Sequence, residues 1–306
     1  VIIATASSEA AASGWSASAN LRFCQRNGVT HYQGGASAPL KLMRSFAQNS
    51  GHCELPLLHT AGGLVGGDRL QLDGELESGS RALITSVAAQ KVYGSVRRSR
   101  LHPQGCWAEQ QLRFHQAAGS DLEWLPQELV LYADALYQQD LRVQLAEGAS
   151  FLAMEVVRLG RTAAGESLGE GRWRSCVEIQ RLATATSGPR WELVDRLELD
   201  GDGLSTEHGM ADQPVFGSLV WAAPQPLPAE QLHTLLEQAR SARHGLEGSM
   251  ACGPLEQGLV ARYRGPSSQA ARFWFCRLWA LIRQQRGQPA PQLPRVWPFQ
   301  ENPFED

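Results

Sequence analysis

Apolar and polar residues alternate with a period of two along several stretches of this chain. Leu141, Val143 and Leu145 alternate with Arg142 and Gln144; Trp173, Ser175, Val177 and Ile179 with Arg174, Cys176 and Glu178; Leu112 and Phe114 with Gln111 and Arg113. Successive side chains of an extended backbone point to opposite faces, so these segments predict half-buried strands with one wet face. Phe151 to Val157 and Leu129 to Tyr132 are almost continuously apolar and suit strands covered on both sides. From Leu21 to about residue 220, short apolar runs are punctuated by Gly, Pro, Asn and Asp, the pattern of many strands joined by tight turns.

The period changes twice. Leu232, Leu235, Leu236 and Ala239 follow the Pro-rich opening Pro224 to Pro228 and predict a helix near 229–243. Phe275, Leu278, Trp279 and Ile282 predict a second near 268–286, with Ser267 or Ser268 as its cap and Arg283 and Arg286 in its last turn. Phe273 and Trp274 widen its stripe, which suits either a helix lying on the sheet or one that also offers aromatic surface to a partner. The expected fold is mainly β, a multi-strand body with two α-helices, one of them near the C-terminus. Residues 21–287 are expected to form that body, after a flexible arm over 1–20. The Pro-rich tail over 288–306, carrying Trp297, Phe299 and Phe304, is expected to dock in extended form on another subunit. No repeat of fixed period emerges.

Composition narrows the partners. The chain of 306 residues has 28 basic and 31 acidic side chains, a net charge of -3 and a pI near 6.3, so no positive field gathers nucleic acid. Lys41 and Lys91 are the only lysines, and arginine, suited to planar pairing with carboxylates, supplies the remaining positive charge. No run approaches the roughly 18 apolar residues that span a bilayer. The apolar start, Val1 to Ala4, is too short for a signal-peptide core, and the expected location is cytoplasmic. Six scattered cysteines form neither a disulfide framework nor a zinc knuckle.

Two glycine motifs fail as catalytic signatures. In Gly62-Gly63-Leu64-Val65-Gly66-Gly67-Asp68-Arg69 the spacing of a phosphate loop is present, but Asp68-Arg69 stands where Lys-Ser/Thr must follow, and aspartate repels phosphate. Gly165-Glu166-Ser167-Leu168-Gly169 matches G-x-S-x-G, with Asp195, Asp200 and His208 in hydrolase order. A serine hydrolase using Ser167 would need a helix after the serine, whereas an alternating strand follows. More informative are carboxylates in apolar or arginine-bearing settings: Glu128, Glu155, and Glu166 after Arg158 and Arg161. Each must meet an arginine, hydrogen-bond donors or a cation if buried.

Six segments in order resemble one family. They are Pro39-Leu40-Lys41-Leu42-Met43-Arg44, the Gly62 to Asp68 motif, Thr85 to Tyr93, Leu122-Glu123-Trp124-Leu125-Pro126-Gln127-Glu128, Glu155, and Leu159-Gly160-Arg161 with Gly165-Glu166. This order over residues 38–182, with the Trp- and Arg-bearing helix near 280, is similar to the urease accessory protein UreD family. Ser45 departs from it, standing where a proline is common. The resemblance implies a β-helical fold with two helices and no enzymatic activity of its own. It also implies partners: UreF and UreG, the latter a nickel-carrying GTPase, docked on apo-urease. No tightly bound cofactor is implied, only transient nickel.

Nickel that must be handed on suits spaced oxygen ligands better than imidazole or thiolate clusters. Glu128, Glu155 and Glu166, with Asp68 near an entrance and His59 at a mouth, are therefore the expected metal-passing residues of an internal route. The alternative class is a pure protein-protein scaffold through which no metal passes.

Overall fold

The computed structural model describes residues 14–305. Its strands form two sheets, between which the chain passes back and forth. Sheet A contains β1 (Ser16–Arg26), β2 (Val29–Ala36), β6 (Arg69–Leu76), β9 (Ala108–Gln116), β12 (Leu136–Leu145), β14 (Arg172–Arg181) and β15 (Arg190–Leu199). Sheet B contains β3 (Leu40–Leu42), β5 (Cys53–His59), β7 (Arg81–Ser86), β10 (Asp121–Leu125), β13 (Ser150–Leu159), β16 (Val215–Ala222), β17 (Ser249–Leu255) and β18 (Gly258–Gly265). The short strands β4 (Phe46–Ala47), β8 (Gln90–Val92) and β11 (Leu129–Leu131) join sheet B.

The middle of each sheet is parallel: β1-β6-β9-β12-β14 in sheet A and β5-β7-β10-β13 in sheet B. Because β6, β7, β9, β10, β12 and β13 alternate between sheets, the chain winds as a β-helical coil. Antiparallel strands finish the coil at either end. One corner of the coil repeats. Gly79, Gly119 and Gly148, with φ of 71°, 67° and 68°, each occupy a turn closed by a bond from residue i+3 to residue i. The turns stack, Gly79 N donating to Ala118 O and Gly119 N to Glu147 O at 3.1 and 3.0 Å. Only glycine adopts this left-handed conformation without steric cost. The spacing between these turns is uneven, so the repeat is one of conformation and not of sequence period.

Helices α1 (Gly201–Ser205), α2 (Ala229–Ser241) and α3 (Ser268–Gln285) complete the described structure, with a 3-10 turn at Thr162–Ala164. α2 and α3 match the two expected helices, and α1 is an additional short one. Ser267 caps α3, its Oγ accepting from Ala270 N at 3.1 Å. α3 is buried on nearly every side: Trp274, Phe275, Leu278, Trp279 and Ile282 lie in a core shared with the outer face of sheet B and with α2.

Two expectations about the ends change. Residues 16–20 of the expected arm belong to β1, paired to β6 and β2, and residues 1–13 lie outside the described residues. The Pro-rich tail docks on its own chain. Trp297 is buried and donates from Nε1 to Thr85 Oγ1 at 2.7 Å, while Phe299 packs edge-on against both Trp297 and Phe273. Arg272 stacks between the Trp297 and Phe299 rings, and Arg277 donates to Pro303 O and Glu305 O. The aromatic surface of α3 is thus covered from within, because five prolines hold the tail extended enough to lie along the helix.

Candidate functional site

The interior between the sheets is divided. One apolar cluster gathers around Phe114, Trp124, Leu141 and Phe151, another around Leu70, Leu131, Tyr137 and Trp173. Between them lies a cavity of about 100 Å³, room for several waters.

Strand register explains its polar lining. On sheet A, Gln110, Gln139 and Ser175 stand side by side across β9, β12 and β14. On sheet B, Glu155 of β13 faces Ser218 of β16, which in turn faces Arg262 of β18. Gln139, Ser175, Glu155 and Ser218 each occupy an inward position where their strands otherwise carry apolar residues. The two rows oppose each other, and the lining extends from Leu57 and His59 on β5 to Asp195 on β15 and Ser218 on β16. Four strand-to-strand steps of about 4.8 Å from β5 to β16 make this a span of roughly 19 Å along the coil axis.

Glu155 is the only carboxylate deep in this space among the described residues that line it. Its Oε1 accepts from Gln139 Nε2 at 2.6 Å, and Tyr137 OH bridges Gln139 Oε1 at 3.3 Å and Gln110 Oε1 at 2.6 Å. Burial pushes the Glu155 carboxyl up to about 7; the Gln139 bond and the Arg262 charge oppose the rise, and Asp195 adds to it. At neutral pH it therefore stands between its protonated and charged forms. Burial pushes the Tyr137 hydroxyl upward too, with Glu155 adding to the rise, so it acts as a donor.

His59 lies at the β5 end. Burial lowers its pKa, which keeps the imidazole neutral, and Asp68 partly opposes the shift. Its Nδ1 is 3.5 Å from Gln90 Nε2, and Nε2 is buried without a hydrogen-bond partner. With Nδ1 accepting from that amide, the neutral ring carries its proton on Nε2, which is left as a buried N–H without an acceptor.

The other expected metal-passing residues are elsewhere or engaged. Glu128 pairs with Arg272 at 3.0 Å beneath the tail, and the lining takes its neighbours Gln127 and Leu129 instead. Glu166 makes a two-pronged pair with Arg161 on an exposed loop, which holds its carboxyl below the usual range. Asp68 closes the glycine-rich turn: Oδ1 accepts from Trp15 N at 2.8 Å and Oδ2 from Val65 N at 2.9 Å. The expected row of four carboxylates is therefore not a row, because arginines or backbone amides satisfy three of them. Among the described residues no group of three or more His, Cys, Asp or Glu side chains is arranged to hold a metal ion. Gln110, Gln139, Ser218 and Arg262 escaped the sequence reading, and Asp195 entered it only as a triad candidate. Inward polar residues within two-residue alternation were the available signal.

Neither serine arrangement is a nucleophile. Ser167 Oγ accepts from Gly169 N at 3.3 Å, and a turn and then β14 follow it, so no helix dipole faces the hydroxyl. Ser50, His52 and Asp121 do line up, at 2.9 and 3.0 Å, but all three are buried beneath α3, and Arg286 grips Asp121 with both terminal nitrogens.

Comparison with known proteins finds matches over most of the chain. The family model described as UreD urease accessory protein matches residues 16–298. A urease accessory protein UreD from Synechococcus sp. (strain CC9902) is 61% identical over 290 residues, covering 95% of this chain and 93% of that protein. Those from Parasynechococcus marenigrum (strain WH8102) and Prochlorococcus marinus (strain MIT 9303) are 61% and 59% identical, the latter over 89% of this chain and 91% of its own length. None of the described helices is long and apolar enough to cross a membrane.

Proposed function

Since the chain belongs to the UreD family of urease accessory proteins, we propose that it acts in the cytoplasm with UreF and UreG on apo-urease and that nickel bound for urease passes through the space between its two sheets. The observation that carries this reading is the pair of facing polar rows, one of which contains Glu155. A dry, purely structural core would have no use for a half-ionised carboxylate beside amides and hydroxyls.

The chemistry suits passage more than storage. Amide and hydroxyl oxygens and single carboxylates hold a divalent cation weakly, keep much of its water, and release it. At neutral pH an arriving cation displaces the Glu155 proton, and its departure lets the proton return. His59, kept neutral by burial, adds no positive charge at the β5 end to repel the cation. Glu128, Glu166 and Asp68 serve instead to hold α3, a surface loop and the glycine-rich turn.

Glu155→Gln keeps the bond to Gln139 possible and removes the charge. In a urease activation assay with UreF and UreG, it is expected to lower nickel-dependent activation severalfold while co-purification of the complex is unchanged. Normal activation by the folded variant would refute passage past Glu155. A clamp-only reading draws support from the three engaged carboxylates; it predicts that every variant failing to activate urease also fails to assemble.

A further inference from the structure

The conduit reading leaves one residue unexplained. Arg262, a cation, stands at the β15 end of the proposed cation route. Its Nη1 contacts Ser218 Oγ and its Nη2 contacts Asp195 Oδ2, both lining residues, and its charge reaches Glu155. Arg262 and Asp195 are about one-third exposed, at 32% and 34%, so the pair at this end of the cavity reaches the surface. β18 places the guanidinium in register: Arg262 is opposite Ser218, which is opposite Glu155.

We propose that Arg262 is the residue that determines occupancy of the outer mouth: a guanidinium latch lying across Asp195 and Ser218 that a divalent cation must displace to reach Glu155. This rests on the conduit reading and specifies its control. With the latch closed, Asp195 is neutralised and the mouth repels further positive charge. With it swung outward, Asp195, Ser218 and Glu155 face the cavity together, and the local field becomes attractive to a cation. A docking partner that offers Arg262 a carboxylate opens the mouth by competition. The latch thereby ties cation entry or exit to assembly.

The neighbouring charges do not duplicate this role. Arg196, next in sequence to Asp195, faces the opposite side of sheet A and binds Glu178 at 2.8 Å. Arg158, on the Glu155 strand, bonds Thr162 and Ser268.

The test uses nickel chloride and the full chain at pH 7.5, with affinity read by competition against a chromophoric chelator. Arg262→Gln is expected to tighten nickel binding roughly tenfold or more, through loss of a positive charge close to the site. Arg262→Lys keeps the charge and is expected to stay near the wild type. The gain is expected to vanish in the double variant Arg262→Gln/Glu155→Gln. If Glu155→Gln weakens binding while Arg262→Gln leaves it unchanged, the conduit stands and the latch falls. If neither variant alters binding, both fall. A gain that survives Glu155→Gln places the cation elsewhere and also overturns the latch. Should Arg262→Gln not fold, Arg262→Met removes the charge at similar bulk and is expected to give the same gain; no change would refute the proposal.

Discussion

Glu123 is buried and Glu155 half-buried, both on parallel strands of sheet B, yet they occupy opposite physical regimes. Glu123, fully buried on the face toward α3, accepts from Arg283 Nε at 2.9 Å, Arg283 Nη2 at 2.6 Å and Trp279 Nε1 at 2.8 Å. Beside it, burial would raise the Asp121 carboxyl, but Arg286 and His52 together hold it well below the usual carboxylate range. Glu155, on the inner face, has one amide partner and a cavity in front of it. Full pairing without space makes a carboxylate a fastener. Sparse pairing beside space leaves its charge free to change.

The largest effect should come from the fastened side. Arg283→Ala strands Glu123 in the core, and removing one partner of a buried pair costs about 3–5 kcal/mol. Urea unfolding measures it, and a loss below about 1 kcal/mol would mean that the pair does not hold α3 to the sheet. Replacing both groups, Glu123→Leu with Arg283→Met, should recover part of the loss. Recovery stays partial because Trp279 and Gln48, which also bond within this network, lose their acceptor and donor.

The tail belongs to the same fastened region. Trp297→Ala removes a buried ring, its bond to Thr85 and one face of the Arg272 stack, at an expected cost of about 3–4 kcal/mol. Trp297→Phe keeps most of the packing and should cost about 1 kcal/mol, near the value of the lost hydrogen bond. If Trp297→Ala left stability intact but weakened partner binding, the tail would be an intermolecular anchor after all.

On the open side the sign reverses. Glu155 has a folded pKa near 7 against 4.5 for its unreacted reference, so the folded state binds its proton more tightly than the unfolded one does. That contribution is fully present below about pH 4.5 and is lost as pH rises through 7. Glu155→Gln should therefore match the wild type near pH 4.5 and exceed it at pH 8 by up to about 3 kcal/mol, less where cavity water screens the charge. Thermal melts across that range test it; parallel pH profiles for the two proteins would show that Glu155 is not held in a desolvating site.

How much of this was legible in sequence follows from the range of each interaction. Two-residue alternation marks β12 and β14 because it is local, and the two long helices show through their own period. The uneven corner turns at Gly79, Gly119 and Gly148 hide the coil, since loops of different length separate equivalent residues. Glu155 stood out against Met154 and Val156 along its own strand. Its partners did not, because Ser218 and Arg262 reach it only through antiparallel register and Gln139 only across the interior from the other sheet. The engagement of Glu128 was equally hidden: Arg272 lies 144 positions away. Tail docking could not be foreseen from composition, because prolines that forbid a helix still permit an extended strap on a waiting groove.

The smallest effect should come from a two-pronged pair that lies in the open. Glu166 meets Arg161 with two nearly parallel bonds, but the loop is open to water and salt screens the attraction. Arg161 also lies 4.6 Å over the Tyr132 ring, a contact that does not need the carboxylate. Glu166→Gln is therefore expected to leave the melting temperature within experimental error at physiological salt, and nickel binding unchanged. A drop comparable to that of Trp297→Ala would contradict the division between fastened, open and merely exposed carboxylates, because it would assign a solvated ion pair the weight that burial alone is argued to confer.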